Sequence, residues 1–179
     1  MTVSNASSAV PPPAIQVHGP DFYRDLAQRA AAAPRRRLNH NLHASQETPV
    51  HRIFNAIQPD SYVQPHCHLE PAKDETVVVL QGCMGLLEFD PDGRILARHV
   101  LGPTMTATIP ARVLHGWCCL KPDTVFFEAK AGPYAPLSDA ERAPFAPREG
   151  SPDAPAALAR LIALASGPDS PVGTFFAAP

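Results

Sequence analysis

The stretch that decides the fold runs from residue 75 to residue 102 and reads ETVVVLQGCMGLLEFDPDGRILARHVLG. It holds short runs of aliphatic and β-branched residues, which are typical of strands. Turn residues separate the runs, and residues 90–93, Asp-Pro-Asp-Gly, predict a hairpin loop. The stretch therefore predicts antiparallel strands that are joined by tight turns.

The same pattern continues on both sides, from Val50 to Lys130. The further β-type runs are HRIFNAIQ, SYVQPHCH, TMTATIP, RVLHGWCCL and TVFFEAK, and turn residues separate them. Roughly eight strands in about 80 residues, with a turn about every 8–12 residues, fit a jelly-roll barrel. We therefore predict an all-β dominated fold, a jelly-roll β-barrel over residues 50–131.

Two short helices are predicted outside this barrel. The first is DFYRDLAQRAAAA, which ends before Pro34, and the second is DAPAALARLIALAS, with Leu158 and Leu161 on one side. The predicted organisation is a flexible tail over 1–19, a helix and extended arm over 20–49, the barrel over 50–131, an extension with a helix over 132–166, and a tail over 167–179.

Composition narrows the functional class. The formal net charge is −2 and the pI is about 6.4, so no broad basic surface predicts nucleic-acid or membrane binding. The N-terminus lacks a signal-peptide pattern, and no apolar run reaches the roughly 18 residues of a membrane span. The four cysteines form no CxxC pair, which indicates reduced thiols. We expect a cytoplasmic protein.

The strongest local signal for chemistry is Pro65-His66-Cys67-His68. In a strand, residues i and i+2 project from one face about 6.5 Å apart, so the two imidazoles can converge on one ion. Tyr62 and Gln64 lie four and two residues before His66, so in a strand they are expected to face the same cavity. Two histidines at this spacing are more often a coincidence than a metal site, so the context decides.

That context is a carboxylate and a third histidine farther along the chain. Glu75 begins a very hydrophobic strand, where a carboxylate is costly to bury unless it is paired or bound to metal. The alternative is an exposed strand end that pairs with Lys73. His115 leads into another strand and shares a face with Trp117. The predicted ligands of one divalent ion are His66, His68, Glu75 and His115.

These residues resemble the two cupin motifs. PHCH, Glu75 and Gly82 are similar to the first motif, HxH followed by Glu and Gly, and residues 110–115 are similar to the second, PxGxxH. Six residues separate His68 from Glu75, where the motif has three or four, which leaves open whether Glu75 ligates. Arg112 stands at the second motif's glycine, which implies a slightly different turn and a cation near the cavity mouth.

The chain also resembles one branch of the superfamily, the WbuC-type cupin-fold metalloproteins. The similar segments are RLNHNLH at 37–43, PVHR at 49–52, PDSYVQPHCH at 59–68, FEAKAGPY at 127–134 and APFAPRE at 143–149. They occur in order over about residues 21–150. The resemblance implies a metal in a cupin barrel and an association with bacterial surface-polysaccharide (O-antigen or capsule) gene clusters. It implies no particular reaction.

Further candidates surround the predicted ion. Glu128 is a candidate catalytic base, or a residue that orients a ligating imidazole; the alternative is an ion pair with Arg112 or Arg52. Tyr62 is a candidate catalytic hydroxyl, with ordinary packing as the alternative. The predicted substrate pocket consists of Gln64, Arg112, Trp117, Tyr134, Asn39, Asn41 and His43.

Three functions follow from this donor set. Three imidazoles and a carboxylate leave two positions open on an octahedral ion, which suits Fe, Mn, Ni or Co, whereas four-coordination suits Zn. The protein is then a metal-dependent isomerase or epimerase acting on a sugar-derived small molecule, a non-catalytic carbohydrate-binding or sensing cupin, or an Fe(II)-dependent dioxygenase. The resemblance ranks a polysaccharide-related role above dioxygenation. A homodimer is expected, because cupin barrels commonly pair.

Overall fold

The computed structural model describes residues 15–70 and 73–167 of the chain. In these ranges β-strands are the main secondary structure, with one α-helix before the first strand and one after the last. The elements are α1 (Pro20–Ala32), β1 (Arg37–Asn41), β2 (Val50–Ile57), β3 (Glu75–Phe89), β4 (Ile95–Leu101), β5 (Thr106–Ile109), β6 (Leu114–Ala131), a 3₁₀ helix (Asp139–Glu141) and α2 (Ala154–Ser166).

The strands form one antiparallel sheet in the order β1-β2-β6-β3-β4, and β5 pairs with β3. Strand β3 pairs with β5 through residues 75–78 and with β4 through residues 84–89. The register between β3 and β6 shifts between Val79 and Met84, where both long strands bend. This bending folds the sheet over on itself, and the fold is the all-β cupin-type jelly roll that the sequence predicts.

The number of strands differs from the expected eight, because the described residues contain six. Two pairs of predicted strands are continuous, since Gly82 in β3 and Pro122 in β6 bend these strands without ending them. The SYVQPHCH run contributes only an isolated backbone bridge between His66 and His115. Part of the predicted arm, by contrast, is strand β1.

The two helices cover opposite parts of the sheet. Helix α1 packs Leu26 and Ala30 against a cluster that contains Phe54, and α2 packs Leu158 and Leu161 against the far ends of β3 and β6. These helices are in the predicted places. Among the described residues, no helix is long and apolar enough to cross a membrane. All four cysteines are free. Most of each predicted tail, residues 1–14 and 168–179, lies outside the described residues.

Gly82 makes the bend in β3 possible, and its replacement by alanine should be costly. Its φ is +83°, and an added Cβ would lie 2.3 Å from Thr124 Oγ1 and 2.6 Å from Thr124 Cα. The Thr124 side chain cannot move away freely, because Oγ1 accepts a hydrogen bond from the Cys83 N–H at 2.9 Å. We expect Gly82→Ala to lower the free energy of unfolding by about 2–4 kcal/mol.

Urea denaturation measures this effect. The control is Gly102→Ala, because an added Cβ at Gly102 meets nothing within 4 Å. Equal stability of the two variants would show that the β3 bend does not depend on a glycine.

Candidate metal centre and its cavity

Backbone hydrogen bonds hold the HxH segment against the start of β6. The His66 N–H donates to His115 O at 2.8 Å, and the His115 N–H donates to His66 O at 2.9 Å. The Arg112 N–H donates to His68 O at 2.8 Å. The His66 ring lies 4.8 Å from the His115 ring and 5.3 Å from the His68 ring, between centroids. The loop thus brings three imidazoles together without forming a strand.

Two of these imidazoles have a fixed tautomer. His66 Nδ1 lies 3.0 Å from Gln64 O, and His115 Nδ1 lies 2.9 Å from Val113 O. A carbonyl oxygen only accepts, so each Nδ1 carries a proton, and in the neutral ring Nε2 keeps its lone pair. Burial, then the neighbouring His115, lowers the pKa of His66 to about 3. His66 is therefore neutral at physiological pH, as a metal ligand must be.

Glu75, the first residue of β3, completes the cluster. Its Oε1 lies 2.8 Å from His68 Nε2, and its Oε2 lies 3.4 Å from His115 Nε2. Burial alone would raise the pKa of Glu75, but the contacts with His115 and His68 and the charge of Lys130 outweigh it and hold the pKa well below the usual range. The carboxylate is thus ionised and adjacent to the imidazoles, despite its long interval from His68.

Lys130 belongs to this cluster and was not predicted from the sequence. Its Nζ lies 2.8 Å from Glu75 Oε1 and 2.7 Å from Glu128 Oε1, so it bridges the two carboxylates. Burial lowers its pKa, but the charges of Glu128 and Glu75 outweigh burial and raise it above the ordinary value. Asn55 Nδ2 donates to Glu128 Oε2 at 2.8 Å. The ion-pair partner of Glu128 is therefore Lys130, neither Arg112 nor Arg52.

The types of donor atom in this cluster suit a divalent ion, although the side chains now make contacts with one another. In their present positions, no group of three or more His, Cys, Asp or Glu residues in the described part of the chain is arranged to hold an ion. His115 Nε2 is buried without a hydrogen-bond partner, and Glu75 is engaged by His68 and Lys130. Three nitrogen donors with one carboxylate suit a first-row divalent metal. Binding would require Glu75 to exchange these contacts for the ion.

A cavity of about 240 Å³ opens beside this cluster. His66 and His68 line it, and so do Glu128 and Lys130. The predicted pocket residues Asn39, Trp117 and Tyr134 also lie in its wall. Sequence reasoning missed the wall residues Arg35, Arg37, His51, Asn55 and Lys73.

Tyr62 and Gln64 do not face this cavity, contrary to the sequence-based expectation. The Tyr62 hydroxyl donates to Pro147 O at 2.9 Å, and the Gln64 amide donates to Ala146 O at 2.9 Å. Burial, followed by the charge of Glu149, raises the pKa of Tyr62. Strand alternation fails here because residues 61–65 are not in a strand. The Tyr62 hydroxyl is thus directed away from the cavity.

Three other pocket candidates also lie elsewhere. Arg112 is exposed at φ +70°, so it takes the left-handed conformation that a glycine would favour, and its side chain does not line the cavity. Asn41 is exposed at the end of β1, outside the cavity wall. His43 is buried, and its ring stacks on His51 at 4.1 Å, so it lies behind a wall residue.

Comparison with known proteins gives one family match. A family model described as "Domain of unknown function (DUF6016)" matches residues 20–101. No curated protein matches the chain.

Similar solved structures include KdgF from Halomonas sp., with 18% identity, TM-score 0.45 and coverage of 57% of this chain and 84% of that chain. An RmlC-like cupin from Shewanella frigidimarina has 15% identity, TM-score 0.42 and coverage of 53% of this chain and 75% of that chain. A sugar phosphate isomerase from a cupin superfamily, from Silicibacter pomeroyi, has 20% identity, TM-score 0.39 and coverage of 48% and 52%. The second and third of these structures are described as cupins. The present chain is an all-β protein of cupin-type jelly-roll architecture.

Proposed function

We propose that this protein is a metal-dependent cupin that acts on a sugar-derived small molecule. The ligands of the ion are His66, His68, Glu75 and His115. One observation supports the proposal above the others: the rings of His66 and His115 are buried and fixed by backbone carbonyls, and His115 Nε2 has no hydrogen-bond partner beside an ionised Glu75. A buried nitrogen without a partner is costly, and an ion would satisfy it.

The metal, when bound, supplies Lewis-acid polarisation of a carbonyl or hydroxyl group. The residues of this chain supply the proton chemistry. Glu128 lines the cavity with an oxygen that is ion-paired to Lys130, and Asn55 fixes the other oxygen. Glu128 can therefore take a proton from a bound molecule, while Lys130 stabilises the negative charge that remains. This pair supports isomerisation or epimerisation rather than simple binding.

A role in bacterial surface-polysaccharide metabolism is part of the proposal. It is supported by the resemblance to WbuC-type cupins, whose similar segments include residues 59–68 and 127–134. These two segments carry two of the proposed ligands and the Glu128–Lys130 pair. The wall residues Asn39, Asn55 and Tyr134 offer amide and hydroxyl groups to a polyhydroxylated ligand, and Trp117 offers an aromatic face.

The two other functions are separated by direct measurements on the loaded protein. An Fe(II) dioxygenase consumes oxygen in the presence of its substrate and works with iron alone. A non-catalytic binding cupin binds a sugar-derived ligand without converting it. We expect ligand conversion without oxygen uptake, and oxygen uptake coupled to substrate loss would contradict the proposal.

Replacing Glu75 tests its place among the ligands. We expect Glu75→Ala to lower metal occupancy as much as His66→Ala does, because each variant removes one of four donors. Elemental analysis of both proteins after identical loading measures the occupancy. A Glu75→Ala protein that still holds a full equivalent of metal would show that the carboxylate is not a ligand.

A further inference from the structure

We propose that the ligand of this cavity is a small sugar that carries one acidic group, a carboxylate or a phosphate. The inference deepens the proposed function and rests on its metal centre. Its basis is the charge of the cavity wall. Four cations line the cavity: Arg35, Arg37, Lys73 and Lys130. Of the carboxylates in the described residues, only Glu128 lines it as well.

Most of the carboxylates that pair with these cations do not line the cavity. Arg35 and Arg37 both bind Glu149, at 2.6 Å and 2.7 Å. These two arginines line the cavity and also a second groove on their other side, and Glu149 lines only that second groove. Glu149 therefore pairs with the two arginines without adding a negative charge to the cavity wall. Lys73 pairs with Glu70 at 3.2 Å, and Glu70 is 59% exposed and absent from the cavity wall.

Three of these cations are largely removed from solvent. The side chains of Arg37, Lys73 and Lys130 are only 12%, 8% and 22% exposed. Buried cations are strongly destabilising unless anions balance them. The four carboxylates Glu70, Glu75, Glu128 and Glu149 balance the four cations one for one. A divalent ion then adds two positive charges that no residue of the wall compensates, so an anionic ligand is favoured over a neutral one.

The size and chemistry of the cavity limit this anion. A volume of about 240 Å³ lies below the roughly 300–1,000 Å³ of most small-molecule pockets, so the ligand is a monosaccharide rather than an oligosaccharide. The wall is rich in hydrogen-bond donors, because the amides of Asn39 and Asn55 join the four cations. A polyhydroxylated molecule with one acidic group supplies the matching acceptors.

Calorimetric titration of protein with measured metal content tests the proposal. The probes are a hexuronic acid, a hexose 6-phosphate and the neutral hexose. We expect at least one acidic sugar to bind at least about tenfold more tightly than the neutral hexose, because a charge-assisted hydrogen bond contributes about that factor. The better acidic sugar identifies the acidic group as carboxylate or phosphate.

Matched variants locate the acidic group. Lys73→Met and Arg35→Met should each weaken binding of the acidic sugar about five- to tenfold. Lys121→Met is the control, because Lys121 is exposed and absent from the cavity wall. Neutral hexose that binds as tightly as the acids, or equal losses in Lys73→Met and Lys121→Met, would overturn the proposal. So would fully metal-loaded protein that binds neither acid. Protein that binds the acid without ever holding metal would instead overturn the proposed function.

Discussion

Replacing Lys130 by methionine is expected to destabilise the metal-free protein by about 2–4 kcal/mol and to tighten its metal binding at least about tenfold. The first effect follows from the buried ion pairs. Lys130 is the cation between Glu75 and Glu128, at 2.8 Å and 2.7 Å. Its removal leaves two buried carboxylates without a counter-charge, which costs about as much as breaking a buried salt bridge from one side.

The second effect follows from competition for Glu75. A metal ion held by Glu75 would have to displace the Lys130 ammonium group, which contacts Glu75 Oε1, or share the carboxylate with it. Methionine removes this competitor, and the ion then replaces the missing positive charge. Saturating metal should therefore raise the stability of Lys130→Met more than that of the wild-type protein.

Urea denaturation with chelator and with metal measures both effects, together with competition against a chromogenic chelator. The control is Lys121→Met, which removes the same charge from an exposed position on the same strand. A Lys130→Met protein that binds metal more weakly than the wild type would mean that Lys130 positions Glu75 for the ion rather than competing with it.

Replacing His66 and His68 together by alanine should weaken metal binding by a factor on the order of a thousand or more. The double variant removes two of four donors. In comparable sites, replacing a single residue that only hydrogen-bonds to a ligand already lowers metal affinity about 10–100-fold. The Arg112→Gly variant is the control. Arg112 holds His68 through its backbone N–H, so a glycine at φ +70° keeps both the turn and the hydrogen bond. Undiminished affinity in the double variant would place the ion elsewhere.

Local patterns in the sequence predicted the parts of the fold that local physics controls. The hairpin loop at residues 90–93 forms as predicted, because Gly93 takes φ +83° and the Asp90 N–H donates to Arg94 O. The two amphipathic helices were likewise predicted in place. The number of strands was wrong, because a bend at a glycine and the end of a strand look alike in a sequence.

The candidate site was predictable only where its spacing is local. His66, His68 and His115 match the two cupin motifs, Glu75 lies farther from His68 than the first motif has it, and all four residues lie together. The prediction that Tyr62 and Gln64 face the same cavity as the histidines was wrong. It assumed a strand, whereas the histidines lie on a loop that β6 holds by backbone hydrogen bonds. Such pairing cannot be deduced from alternation along one segment.

Lys130 was missed because its role depends on register between strands. It pairs with His51 on β2 and with Glu75 on β3, residues that are far away in the chain. Lys130 lies two residues after Glu128 on the same strand, so both side chains share one face, and this was the one sequence signal for its role. Arg37 was missed because its partner Glu149 is 112 residues away and lies in a turn.

The metal content of the purified wild-type protein tests the central claim most directly. Elemental analysis, metal by metal, is done on protein as isolated and after adding Fe(II), Mn(II), Ni(II), Co(II) and Zn(II) in turn. We predict close to one equivalent of a single divalent metal per chain, and its loss in the His66→Ala/His68→Ala protein. A wild-type protein that holds no metal, even after each ion has been supplied, would contradict the account.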